Sequence, residues 1–344
     1  MTILVVGGGK MGMSHLALAT QYVGKCNIAL CDSKLSTRLL FRFLGYKTFQ
    51  SVDIAAKNID RLTGVIIATP TPSHAQLTRW AIKKKVPCFV EKPLTLDVTN
   101  STDLKALAEA EGMTVQVGFV MRYVASFQRL RKLVKNGLLG PLLSYTASMR
   151  GNVITTPPAS NNWQGDFARG GGCLNEYGPH IIDVSRFIFG SILEVSTVQM
   201  ERIYCNSADD RISITWIHES SIHGQIDIDW CDSSKRKSVM EFNVNFAHAS
   251  VRVDNSTVEI KWKDDSPLSL ESRQEIDEPV QPHNVSYYLR GEEFSLELED
   301  FLSTCVGNRL SVEEALPDNI TPRLEDGCEV DRLIFEISKK AGLK

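Results

Sequence analysis

No stretch of this 344-residue chain approaches the roughly 18 apolar residues that a membrane-spanning helix needs, so a membrane is not an expected partner. The N-terminus lacks the basic start, the apolar stretch of roughly 7–15 residues and the small-residue cleavage site of a signal peptide. Instead Thr2-Ile3-Leu4-Val5-Val6 runs straight into glycines and reads as a buried strand. Excess positive charge is missing too. The 38 Lys and Arg stand against 41 Asp and Glu, a net −3, which leaves nothing to neutralise a phosphate backbone and argues against nucleic acid as a partner. The eight cysteines form no C-x-x-C pair and no zinc spacing, which fits reduced thiols in a cytoplasmic protein. None of the seven histidines forms an H-x-x-x-H pair, so no catalytic metal is expected. Internal repeats and low-complexity tracts are absent as well.

What is present is an ordinary globular composition, 43% hydrophobic and 23% charged, in a chain long enough for two domains. The first third alternates short apolar runs with helical patterns, the mark of βαβ units and a parallel sheet. Thr2 to Val6 is the first strand, Lys10 to Val23 a helix, and the run Cys26 to Cys31 a second strand ending at Asp32. Later strands are expected at Gly64–Ala68, Pro87–Val90 and Thr114–Val117, separated by helices at 73–85 and 98–111. From about 141 to 263 the period changes to two, clearest in Ile226 to Trp230 and Val258 to Trp262, as in an antiparallel sheet with one covered face. Asp264 to Gln281 reads as a surface loop, and Phe294–Val306 and Glu325–Ala341 as closing helices. The expected fold is an α/β Rossmann domain over 1–120, followed by an α+β domain over 121–344 with an open, mostly antiparallel sheet.

Gly7-Gly8-Gly9-Lys10-Met11-Gly12 satisfies G-x-G-x-x-G directly after a strand and at the opening of a helix. Gly7 suits the tight turn, Gly9 lets amides approach a pyrophosphate, and Gly12 lets helix and strand pack closely, with positive partial charge at the helix start. Asp32, 20 residues after Gly12, stands where a carboxylate accepts hydrogen bonds from an adenosine ribose. Asp32 would repel a 2'-phosphate, so NAD is favoured, while Lys34 and Arg38 leave NADP open.

At Phe89-Val90-Glu91-Lys92-Pro93-Leu94 the chain resembles the glucose-fructose oxidoreductase and inositol dehydrogenase family, often called Gfo/Idh/MocA. Ala68-Thr69-Pro70-Thr71-Pro72-Ser73-His74 is similar to that family's strand-four loop, and Gly118-Phe119-Val120-Met121-Arg122-Tyr123 to its interdomain segment. Gly170-Gly171-Gly172-Cys173-Leu174-Asn175-Glu176-Tyr177-Gly178-Pro179-His180 resembles its second catalytic motif. The resemblance implies nicotinamide-dependent hydride transfer on sugars, cyclitols or related alcohols, with Lys92 as the catalytic lysine and His180 as the proton-transfer residue. It also implies cofactor contacts at Gly7, Gly9, Lys10, Met11, Gly12, Asp32, Ser33, Thr69, Pro70, His74, Glu91, Lys92 and Arg122. Two departures stand out. Glu176 replaces the Asp of many members, and Val120 and Met121 replace residues that are often polar or basic.

Oxidising a secondary alcohol needs a group that removes the hydroxyl proton as the carbon loses its hydrogen. Imidazole titrates near neutral pH, which suits His180 to that task. An ammonium at Lys92 would stabilise the developing alkoxide, or polarise the ketone in reverse. Glu176, four residues before His180, would face it across one helical turn if the segment is helical. X-Pro bonds adopt cis cheaply, so a cis Lys92–Pro93 bond is within reach. The substrate side is expected to use Lys92, Trp163, Glu176 and His180, with Asn152, Thr155, Thr156, Asn161, Asn162 and Gln164 available for hydroxyls.

The function expected is therefore NAD(P)-dependent oxidoreduction at a secondary alcohol or ketone carbon of a polyol, sugar or sugar nucleotide. Two alternatives stay open: NAD-dependent glycoside cleavage through transient oxidation, and a non-catalytic dinucleotide-sensing regulator. The alternating sheet needs cover on its outer face, so a homodimer or homotetramer is expected.

Overall fold

The computed structural model describes residues 1–159, 162–264, 266–277, 279–285, 287–307 and 320–343. Contacts divide the chain into two compact units, Met1–Tyr123 with His283–Asp331, and Val124–Pro282 with Arg332–Lys344.

In the first unit, β1 (Thr2–Val6) leads through the glycine turn into α1 (Lys10–Val23), and β2 (Ile28–Cys31) follows. Four of five β1 residues and all of β2 are buried, as continuous apolar runs in a parallel sheet should be. Then come α2 (Leu35–Phe43), β3 (Lys47–Phe49), α3 (Val52–Asn58), β4 (Leu62–Ile67), α4 (His74–Lys83), β5 (Cys88–Glu91), α5 (Val98–Glu111) and β6 (Val115–Gly118). The sheet is ordered β3-β2-β1-β4-β5-β6 with all pairs parallel, so the direction of winding reverses between β1 and β4. Local chemistry sets the helix ends: the Ser51 hydroxyl accepts the Ile54 N–H, and Asp97 accepts the Thr99 N–H at 2.9 Å. The stretch from 35 to 58, to which the hydrophobic pattern assigned nothing, holds α2, β3 and α3. At the sheet edge, β3 has only three residues and none of them is buried, so it lacks the apolar run that marks central strands.

The second unit begins with α6 (Ala125–Asn136) and β7 (Leu142–Arg150), then α7 (Cys173–Glu176) and α8 (Gly178–Phe189). Strands β8 (Ile192–Glu201), β9 (Arg211–His218), β10 (His223–Asp229), β11 (Val239–Phe246), β12 (Ala249–Val253) and β13 (Val258–Trp262) follow. They form one sheet, ordered β13-β12-β11-β7-β10-β9-β8, in which β7 and β10 are parallel and every other pair is antiparallel. One face is buried through Ile212, Ile214 and Trp216 of β9, Ile226 and Ile228 of β10, and Met240, Phe242 and Val244 of β11. Helix α8 packs on β7 and on α6. The alternate positions, such as Asp227, Glu241, Asn243 and Arg252, are polar, which is the period-two pattern of the sequence in three dimensions.

Asp264 to Gln281 is not wholly a loop. It contains α9 (Leu270–Ile276), capped by the Ser269 hydroxyl, which accepts the Ser272 N–H at 3.1 Å. That cap outweighs a composition that otherwise reads as loop.

The chain then returns to the first unit with α10 (Glu292–Val306). Its Leu298, Phe301 and Leu302 enter the core formed by Ile3, Leu18, Ile66 and Phe89. Asp300 of this helix accepts the Tyr123 hydroxyl at 2.6 Å. Helix α11 (Leu324–Lys340) ends the described fold, its residues to Asp331 belonging with the first unit and those from Arg332 with the second. All eight cysteines are free. Among the described residues no helix is long and apolar enough to cross a membrane, and no group of three or more His, Cys, Asp or Glu is placed to hold a metal ion.

Candidate functional site

Within the first unit, nearly all the expected nucleotide residues lie just past the C-terminal ends of parallel strands, where open α/β sheets bind ligands. A Cβ at Gly12 would sit 1.7 Å from the Gly7 carbonyl oxygen, so no larger residue lets the start of α1 close on the turn. Gly9, the N-cap of α1, has no side-chain cap, the first turn holds no acid, and a Cβ at Gly9 would meet nothing within 4 Å. Open space over uncapped amides suits an anion. At the end of β2, Asp32 accepts the Gly8 and Lys34 N–H groups, each at 2.7 Å, which tie the carboxylate to the turn. The glycine turn and Asp32 thus form a cradle that fits a dinucleotide. Lys10, Ser33 and Pro70 are exposed, while Met11 and Thr69 are half-buried. Arg38 donates to the carbonyl oxygens of Asp32 and Ser33, at 2.8 and 2.7 Å.

At the end of β5 and just past it, Glu91 and Lys92 are half-buried and Pro93 is buried, with the Lys92–Pro93 bond cis. Glu91 Oε1 lies 2.6 Å from Nε2 of the fully buried His15. Burial pushes the Glu91 carboxyl up, but the hydrogen bond and charge of His15, with the charges of Lys92 and His74, outweigh it and hold the group below the usual carboxylate range. His74 was expected at the cofactor. It is 1% exposed, and its Nδ1 and Nε2 face the carbonyl oxygens of Pro93 and Thr69 at 2.9 and 2.8 Å, so its polar atoms tie loops together within the unit. Arg122 is likewise buried and pairs with Asp326 at 2.9 Å. Neither role has a local signature, because each partner lies far along the chain or on the backbone.

In the second unit, the helical turn expected to carry Glu176 to His180 is broken. Tyr177 (φ −100°, ψ −32°) separates α7 from α8, and the His180 main-chain N–H donates to Tyr177 O at 3.1 Å rather than four residues back. Pro179 in the first turn of α8 explains the break, since its ring bars it from a helix interior. Glu176 and His180 are both half-buried, and Trp163 is 43% exposed. Asn161 lies outside the described residues, while Asn162 caps a short 3-10 turn through the Gln164 N–H.

Sequence reading missed Asp209. This fully buried residue caps α7 from 35 positions away, its Oδ2 accepting the Leu174 N–H at 2.7 Å and the Cys173 thiol at 3.0 Å. Gly172, at φ +94°, is the matching residue, because a Cβ there would lie 2.1 Å from Asp209 Oδ1. Nothing in an Asp-Asp pair before a strand announces this.

A six-stranded parallel sheet wound about β1 and β4, with a glycine turn after its first strand, defines a Rossmann-type dinucleotide-binding domain, here followed by an open-faced mixed sheet. Residues 1–119 match the family model described as "Oxidoreductase family, NAD-binding Rossmann fold", and residues 127–252 match "GFO/IDH/MocA C-terminal domain". The chain belongs to the Gfo/Idh/MocA oxidoreductase family. Among curated relatives, the rhizopine catabolism protein MocA of Rhizobium meliloti is 29% identical over 188 residues, covering 54% of this chain and 56% of that protein. An inositol 2-dehydrogenase of Rhodococcus jostii is 26% identical over 59% of this chain and 53% of its own length. The matches thus span little more than half of these relatives. A D-apiose dehydrogenase of Paraburkholderia graminis is 23% identical over 78% of this chain and 69% of its own. Levoglucosan dehydrogenase, solved with NADH and levoglucosan, shares the fold, with TM-score 0.79, 16% identity and coverage of 99% and 97% of the two chains.

Proposed function

We propose that this protein is an NAD(P)-dependent dehydrogenase or reductase acting on CH–OH groups of a sugar, sugar nucleotide or cyclitol, with NAD as the preferred cofactor. The observation that carries this reading is Lys92 at the C-terminal end of β5, in the same sheet whose β1 and β2 ends carry the glycine turn and Asp32. The names of the relatives, which act on inositol, D-apiose and levoglucosan, support a polyhydroxylated small molecule.

In this reading Gly7 to Gly12 take the pyrophosphate and Asp32 the adenosine ribose. A bound NAD supplies the two-electron acceptor for carbon oxidation. The Lys92 ammonium stabilises the substrate oxygen as it becomes anionic. His180 takes the hydroxyl proton on a ring nitrogen and returns it in the reductive direction. Glu176 orients the substrate or the His180 ring, and Trp163 lines the substrate side. The polar face of the second unit's sheet is the surface through which a homodimer or homotetramer forms.

The test is a dehydrogenase and reductase screen across inositols, aldoses and nucleotide sugars with both cofactors, followed by nicotinamide absorbance. Lys92→Ala is expected to lower kcat by roughly 10²–10³-fold, the scale for losing one stabiliser of an oxyanion. A Lys92→Ala protein that binds NAD and turns over at the wild-type rate ends the assignment. Product formed with catalytic NAD and no NADH accumulation would replace net oxidation by the transient-oxidation reading.

A further inference from the structure

Two buried histidines to which the proposed chemistry gives no task hold the residues on either side of Lys92. His15, on α1, is fully buried and meets Glu91 Oε1 at 2.6 Å through Nε2. Its Nδ1 finds no hydrogen-bond partner among the described residues, and its ring packs edge-on against Phe89, with centroids 5.2 Å apart. A phenylalanine would fill that space without burying an orphan nitrogen, so packing alone does not account for an imidazole here. What the imidazole adds is a bond to the Glu91 carboxylate, whose other oxygen accepts the Lys92 main-chain N–H at 3.3 Å. On the far side, the His74 ring at the start of α4 lies 2.9 Å from Pro93 O and 2.8 Å from Thr69 O; burial holds its pKa below the ordinary imidazole value, so the neutral ring has one N–H to donate to these carbonyls.

The two contacts share a geometry. His15 stands on the helix that opens from the glycine turn, and His74 follows the loop after β4 that contains Thr69. Each therefore connects the lysine turn to one of the two loops flanking the point where the sheet reverses. We propose that His15 and His74 are positioning residues that fix the Lys92 side chain relative to the dinucleotide loops, acting through Glu91 on one side and the Pro93 carbonyl on the other. This rests on the reading of Lys92 given above.

The experiment uses the full chain without nucleotide. Trace labelling with acetic anhydride, quantified by peptide mass spectrometry, reports the reactivity of the Lys92 amine, with the exposed Lys83 and Lys84 as internal references. His15→Phe, Glu91→Gln and His74→Leu are each expected to change Lys92 labelling at least threefold relative to the references. His15→Gln, which restores a donor near the Nε2 position, is expected to stay near wild type. NAD affinity, read by fluorescence titration, is expected to stay within threefold in His15→Phe and His15→Gln. The proposal is overturned if Lys92 labelling is unchanged in His15→Phe, if His15→Gln deviates as far as His15→Phe, or if NAD affinity collapses in the His15 variants. Should His15→Phe fail to fold by circular dichroism, the near-isosteric Glu91→Gln decides the matter alone. Wild-type turnover by Lys92→Ala in the polyol screen would defeat the functional reading while leaving the labelling result to stand or fall by itself.

Discussion

Asp209 and Asp210 are neighbours in the chain, both fully buried just before β9, and their carboxyls are pushed in opposite directions. For Asp209 burial dominates and raises the pKa, the Cys173 and Leu174 bonds notwithstanding, while Oδ1 has no hydrogen-bond partner among the described residues. For Asp210 burial is outweighed. Its Oδ2 accepts the N–H groups of Ile203, Tyr204 and Cys205 at 2.6–2.9 Å, and its Oδ1 accepts the Trp230 indole at 2.8 Å, so the carboxyl is held below the usual range. Donor count decides between two otherwise similar sites.

Asp209→Asn should gain stability relative to wild type as pH rises. A native pKa above the unfolded value means that the native state holds its proton longer, so wild-type stability falls as pH climbs from the ordinary carboxyl range through the raised native pKa. The amide has no such proton to lose. Urea unfolding of both proteins at pH 5 and pH 8 reads the difference, and a gap that does not change with pH refutes it. Asp209→Ala, which also removes the cap of α7, should cost about 2 kcal/mol.

Asp210→Asn should show the reverse slope. The depressed native pKa contributes stability that is present above the ordinary carboxyl pKa and is lost as pH falls through the native one. At neutral pH the variant should be less stable by about 3 kcal/mol, because an amide nitrogen faces donors that had an oxygen. The gap should narrow below about pH 4, near the unperturbed Asp value. Unfolding midpoints at pH 7 and pH 3 check this.

Gly12→Ala should weaken NAD binding at least tenfold and lower stability by about 1–3 kcal/mol, since its Cβ would meet a backbone oxygen that no rotamer change can move. Fluorescence titration and thermal unfolding measure the two effects. Wild-type affinity would mean that the turn is not the pyrophosphate site.

Asp32→Ser should narrow the preference for NAD over NADP by removing the charge that repels a 2'-phosphate. The narrowing should be modest, because Arg38 is engaged by two main-chain carbonyls and Asp32 itself holds the Gly8 N–H. The ratio of kcat/KM for the two cofactors is the measurement, and an unchanged ratio refutes the role given to Asp32.

Much of the first unit was legible because its signals are local. The helix Lys10–Val23 and the strands around Val5, Ile66 and Val90 appear where apolar periodicity puts them, and Asp32 directly follows β2. Alternation of apolar and polar residues marked β10 and β13 equally well. The short β3 and the Ser269-capped α9 escaped, since three residues carry no period and a cap is a single hydroxyl. The break at Tyr177 could have been read from Pro179.

The amino-acid order alone determined the βαβ start, the glycine turn, the two-period sheet and the family, because each depends on residues within a few positions of one another. Tertiary structure alone decided that α10 returns Leu298, Phe301 and Leu302 to the first core, that Asp209 caps α7, and that His15 reaches Glu91 across 76 positions. Such contacts form between segments whose separation leaves no periodic trace, and burial, which sets their strength, exists only once the chain has folded.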